Sequence, residues 1–168
     1  MRRKSMMAGL AFLITSSAPA FAAIGQHSIS EIAYRADWIG SGVVSAARED
    51  GSFVVPVEVI IKGTPPNRYE SPPVPLGAEY VGFPVGSTVA VHSIEGRVFV
   101  RSCVSPATFA FAVRSLLRLS ETQVPEERLH VLEALVSAGD ADALVAASSA
   151  LGSLKESPDH LRKLRPAL

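Results

Sequence analysis

Between Trp38 and Cys103 apolar and polar side chains alternate with a period of two, and from Pro106 onward the spacing lengthens to about 3.6 residues, with Ala and Leu prominent. The change divides the chain into a β half and an α half. In Ser52–Gly63, Phe53, Val55, Val57, Val59 and Ile61 line one face of a strand while Pro56, Glu58 and Lys62 fall on the other. Pro56 has no amide to give to a ladder, so its position belongs to an edge, a bulge or a barrel opening. An earlier strand, Asp37–Ala47, carries Gly40 and Gly42 on one face, a spacing that permits sharp coiling or close approach of another backbone. Glu49-Asp50-Gly51 turns it back into the next strand, and Glu95-Gly96 joins a second pair, Gly86–Ile94 and Arg97–Cys103.

Between the two pairs, six prolines fall within Pro65–Pro84. Such a stretch is expected to be a stiff loop with one short edge strand near Arg68–Ser71. In the α half, Ser105-Pro106 marks an N-cap with proline at the first helical position, ahead of Phe109, Val113, Leu116 and Leu117. Pro125 opens a second helix with Glu126 and Glu127 near the positive end of its dipole, and Leu129, Leu132, Leu135 and Val136 form its stripe. Gly139 ends that helix and Asp140 caps the next, which carries Leu144, Leu151 and Leu154. Ser157-Pro158 caps a short last helix. The segment Glu127–Leu154 resembles one helical hairpin of the HEAT type, and with no second copy it is expected to pack on the β half rather than form an array.

The first residues change the picture of where the protein works. Arg2, Arg3 and Lys4 precede an apolar stretch, Met6–Ile14, which Ser16, Ser17 and Pro19 break before the small-residue ending Ala20-Phe21-Ala22. This is the pattern of a secretory signal over residues 1–22, too short for the roughly 20 residues of a membrane span, with Ala23 as the expected mature N-terminus. The whole chain has 16 basic and 16 acidic side chains, and the loss of Arg2, Arg3 and Lys4 leaves 13 against 16, a net charge of −3. A mildly acidic exported protein with no basic stripe is not expected to bind nucleic acid. The expected location is the periplasm or the extracellular space, with no transmembrane segment in the mature chain.

Candidate chemistry is sparse. Cys103 is the one cysteine, so no intrachain disulfide is possible, and in an oxidising compartment the thiol is either buried and inert or open to a Cys103-linked dimer. His27, His92, His130 and His160 lie in four separate segments without metal-ligand spacing, and no metal or cofactor is expected. G-x-S-x-G, P-loop, H-E-x-x-H and C-x-x-C motifs do not occur. Gly40-Ser41-Gly42 sits within a strand and opens no helix, unlike a phosphate loop. An enzyme would instead announce itself by a polar pocket around His92 with a carboxylate in hydrogen-bond reach.

Ala36-Asp37-Trp38-Ile39-Gly40-Ser41-Gly42-Val43-Val44 resembles the first barrel strand of the tissue inhibitor of metalloproteinases and netrin-like family. Val57–Gly63 resembles that family's second strand with its closing Lys-Gly, Val85–Val91 its Gly-led fourth strand, and Arg97–Cys103 the strand ending in cysteine. The resemblance implies an OB-fold barrel. It also implies a target-binding N-terminus, but the family's inhibitors begin with a disulfide-anchored cysteine that chelates zinc, and this chain has Ala23-Ile24-Gly25-Gln26-His27-Ser28 there. The sequence thus predicts an α+β protein. Residues 23–104 are expected to form a small antiparallel OB-like barrel, and residues 105–168 three or four short helices packed on it. The expected function is that of an exported, non-catalytic protein-binding module. Its contact residues would be Ala23, Ile24 and Gly25 at the mature start, with Asn67, Arg68 and Tyr69 in the proline-stiffened loop. The alternatives are a structural or envelope-assembly protein docking through its helical hairpin and, third, a hydrolase-type enzyme.

Overall fold

The computed structural model describes residues 27–74 and 82–153. The expected signal at 1–22, the mature start at Ala23-Ile24-Gly25, the later part of the proline-rich loop and the helix at Ser157-Pro158 lie outside the described residues. The protein has an α+β fold. Its elements are α1 (Ile29–Arg35), β1 (Trp38–Val43), β2 (Ala46–Ala47), β3 (Phe53–Pro56), β4 (Val59–Lys62), β5 (Arg68–Glu70), β6 (Thr88–Ile94), β7 (Arg97–Ser102), α2 (Pro106–Glu121), α3 (Pro125–Ala138) and α4 (Ala141–Ser153).

The strands make two antiparallel sheets, β4-β1-β6-β7 and β2-β3-β5. The expected closed barrel is not formed among the described residues. β7 pairs only with β6 and β5 only with β3, so no ladder joins the two sheets into a ring. Directly after β5, Ser71 gives its amide to Phe53 O, and Pro72 and Pro73 have no amides with which to continue the ladder. The sheets are connected instead by two bent strands, β1 into β2 and β3 into β4.

The second bend splits what the alternation presents as one strand with one core face. It falls at Val57-Glu58, where Val57 donates to Asn67 O and Glu58 to Ser41 O. Phe53 and Val55, before it, join a small core with Val44, Phe83, Val89, Val91 and Val100 between the sheets. Val59 and Ile61, after it, join the large core on the helical side. A register shift opposite Ile39-Gly40 leaves Ile61 as the extra residue of a bulge. Gly42 makes the corner possible: a Cβ there would stand 2.0 Å from Pro56 O.

β6 is central and buried from Val89 to Ile94, with its two faces in different cores. The β6–β7 hairpin closes through Glu95 and Gly96, both left-handed at φ 54° and 74°, as a two-residue turn that matches strand twist requires. The large core gathers Ile29 and Ile32 of α1, Ile39 of β1, Ala90 of β6, Phe109 and Leu116 of α2 and Leu132 and Leu135 of α3. It therefore crosses the expected 104/105 boundary. Ser105 caps α2 reciprocally with Thr108, and Gly139 ends α3 at φ 69° before Asp140 Oδ1 takes the Ala143 amide.

Two features depart from the sequence reading. α1 is a seven-residue helix announced only by its capping box, Ser28 with Glu31. The buried face of α4 is made of Ala143, Ala146, Ala147 and Ala150, while Leu144 and Val145 are 43% and 47% exposed. Alanines let α4 approach its neighbours closely, and the larger side chains are left outward.

Candidate functional site

The residues expected to bind a partner divide on structural grounds. Ala23, Ile24 and Gly25 lie outside the described residues. Asn67 and Arg68 are exposed, and Arg68 reaches Glu70 at 3.7 Å, a carboxylate that also pairs with Arg48. Tyr69 points the other way: its ring meets Phe53 edge-on at 6.3 Å in the small core, and burial raises its phenol above the usual range. β5 is a short, charged edge strand bounded by prolines, the form that resists addition of another strand.

The structure joins two histidines that are 65 positions apart. His92, on the helical face of β6, stacks on Phe99 of β7 at 5.6 Å and 22°, and His27 stands edge-on to both, 4.4 Å from Phe99 and 5.6 Å from His92. His92 is 2% exposed, and neither of its ring nitrogens nor the Nδ1 of His27 has a hydrogen-bond partner. Burial pulls the His92 pKa down to about 4, with the positive ends of His27 and Arg101 adding to the effect. Asp142, the nearby buried carboxylate on α4, is occupied elsewhere. It accepts from the Val104 amide at 3.1 Å and pairs with Arg101 at 3.5 Å, while Arg101 lies over the Phe109 ring. Among the described residues no carboxylate hydrogen-bonds to His92, the orienting contact that proton transfer at this residue uses. Among the described residues, no group of three or more His, Cys, Asp or Glu side chains is placed to hold a metal ion.

Cys103 follows β7 and packs against the large core. Burial, and then the Asp142 carboxylate, push its thiol up to about 12 against the opposing pull of Arg101. Because the thiolate is the reactive form, alkylation of the folded protein at pH 8 by iodoacetamide is expected to be at least about tenfold slower than after unfolding. Equal rates in the two states would show that the thiol is neither shielded nor shifted.

An open concavity lies elsewhere, across the outer face of α2. A hollow of about 440 Å³ is lined by Val59 of β4 and by Ala107, Ala110, Phe111, Arg114 and Arg118 of α2. Past Phe111 and Arg118 it meets a second hollow of about 170 Å³, walled by Glu127, His130 and Val131 of α3. Phe111 is 39% exposed and Ile60, on the adjacent edge of β4, 54%. Arg114 Nη2 donates to Ile60 O at 2.8 Å, capping an edge-strand carbonyl, and Arg118 forms no ion pair among the described residues. Sequence reasoning missed this groove. Its available signal was Phe111 together with Arg114 and Arg118, three and four residues apart on the face opposite the buried stripe.

Among the described residues, no helix is long and apolar enough to cross a membrane. Comparison of the chain with family models, with curated proteins and with solved structures finds no match.

Proposed function

We propose that this protein is an exported, non-catalytic protein-binding module that receives its partner in the groove across α2. The observation that carries the reading is the exposed aromatic ring of Phe111 in the wall of a solvent-open hollow of about 440 Å³, which Val59 of the edge strand β4 also lines. Helix α2 already buries Phe109, Val113, Leu116 and Leu119 on its inner side, so Phe111 is not needed to hold the helix in place. An aromatic ring beside an aliphatic edge in a concave surface has the form of an interaction anchor. Export rests on the signal pattern of residues 1–22, and the resemblance to the netrin-like family supports binding over catalysis.

The test is crosslinking capture from the envelope fraction with the wild-type protein, Phe111→Asp and the double variant Asn67→Ala/Arg68→Ala. Phe111→Asp is expected to lower recovery of a specific partner by at least about tenfold at unchanged circular dichroism, since it sets a charge into the apolar centre of the surface. The double variant is expected to capture as wild type. The reverse pattern would move the contact to the β5 loop.

Leu144 and Val145 on α4 favour a second reading, an envelope-assembly role for the helical hairpin. In that case Leu144→Asp/Val145→Asp, and not Phe111→Asp, abolishes capture.

A further inference from the structure

We infer that the groove across α2 selects an acidic partner segment, one that sets an apolar side chain against Phe111 and presents carboxylates to Arg114 and Arg118. The inference rests on the docking role proposed for this groove and adds the chemistry of its occupant. Arg114 and Arg118 are one helical turn apart and line the same hollow. The hydrogen bond from Arg114 goes to a neutral carbonyl, Ile60 O, and neither Arg114 nor Arg118 forms an ion pair among the described residues, although Glu127 shares the far hollow with Arg118. Elsewhere Arg35, Arg48, Arg68 and Arg101 each meet a carboxylate. Arg97 at the β6–β7 turn forms no ion pair among the described residues, and it lines neither of the two hollows at α2.

Two adjacent guanidinium groups beside an aromatic ring favour a ligand that is at once apolar and anionic, because carboxylates accept the planar fork of donors and the ring covers an aliphatic side chain. The groove also has a direction. Glu127 walls the far hollow toward α3, so the carboxylates of a bound segment belong at the β4 side and its apolar part between Phe111 and Val131. The chain's own residues 154–168 fit poorly on charge, since Lys155, Arg162, Lys163 and Arg165 outnumber Glu156 and Asp159.

The experiment uses the full protein and two fluorescein-labelled synthetic helical peptides, one of Leu and Glu and its twin with Lys in place of Glu, read by fluorescence anisotropy. At about 50 mM salt the acidic peptide is expected to bind at least about tenfold tighter than its twin, and the difference is expected to shrink at about 500 mM. Arg114→Gln/Arg118→Gln, which keeps donors for Ile60 O, brings the two peptides within about twofold of each other. Phe111→Asp removes binding of the acidic peptide. Equal affinities, no binding of the acidic peptide, or an unchanged preference in the double variant overturns the inference. So does a concentration-dependent dimer that disappears in Phe111→Asp, which assigns the groove to a second copy. Envelope capture that depends on Phe111 but not on the two arginines leaves the docking role standing and removes only the acidic preference.

Discussion

Replacing Gly42 with alanine is expected to destabilise the protein by about 3 to 5 kcal/mol, the range of a core clash that only backbone movement relieves. The Cβ would sit 2.0 Å from Pro56 O and 3.2 Å from both Pro56 C and Val55 Cγ1. These are largely backbone atoms at the bend where β3 leaves the small sheet for the large one. Pro56 is poorly able to give way, since its ring fixes φ and the next two amides are engaged with Asn67 O and Ser41 O. Two other glycines set the scale. At Gly40 the closest atom is the Cγ1 of Val57 at 2.6 Å, a methyl that a rotamer change moves, so Gly40→Ala is expected to cost about 1 to 2 kcal/mol. At Gly86 nothing lies within 4 Å and only the strain of φ 88° remains, again about 1 to 2 kcal/mol. In thermal melts followed by circular dichroism, Gly42→Ala should fall by about 10 to 20 °C and the other two by much less. A melt within a few degrees of wild type for Gly42→Ala would show that contact at this corner does not hold the two sheets together.

That corner marks the limit of what the sequence discloses. The hairpin turns at Asp50-Gly51 and Glu95-Gly96, the cap at Ser105-Pro106 and the break at Gly139-Asp140 were all legible, because each is a local conformational demand met by one residue type. The bend at Val57-Glu58 was not. Alternating valines on either side look the same whether they face one core or two, and only the long-range pairing of Ser41 with Val59 and of Val54 with Glu70 assigns the halves to different sheets. Helix α1 spans two turns, too few for a periodic stripe to stand out, and the alanine face of α4 is inverted by close packing that puts the small residues inside. The groove failed for a related reason. Arg114 and Arg118 look like any solvated helix face until β4 is set beside them, and the meeting of His27 with His92 depends on contacts across 65 positions of chain.

Acidification from pH 7 to pH 4 is expected to cost the wild-type protein up to about 3 kcal/mol that the variant His92→Phe does not lose. The buried imidazole titrates near 4 in the folded protein and at its ordinary 6.5 once unfolded. Above pH 6.5 both states are neutral and the full stability is present. Between 6.5 and 4 the unfolded chain takes up a proton that the folded one refuses, so stability falls as pH falls, and below 4 this contribution is fully lost. Among the described residues, no group hydrogen-bonds to the ring to offset the charge. His27 faces it from the segment before α1, Phe99 and Arg101 face it from β7, and the Asp142 carboxylate on α4 is engaged with Arg101 and the Val104 amide. Phenylalanine keeps the stack on Phe99 and has no nitrogen to protonate. It also removes two buried ring nitrogens without partners, so at pH 7 His92→Phe should match or exceed wild-type stability by about 1 kcal/mol. Urea unfolding of both proteins at the two pH values makes the comparison, because carboxylates titrating in the same range are common to both and cancel. An equal loss in the two proteins would place the acid-sensitive proton elsewhere. A loss confined to wild type would identify the buried His92 imidazole as the group whose protonation drives acid destabilisation.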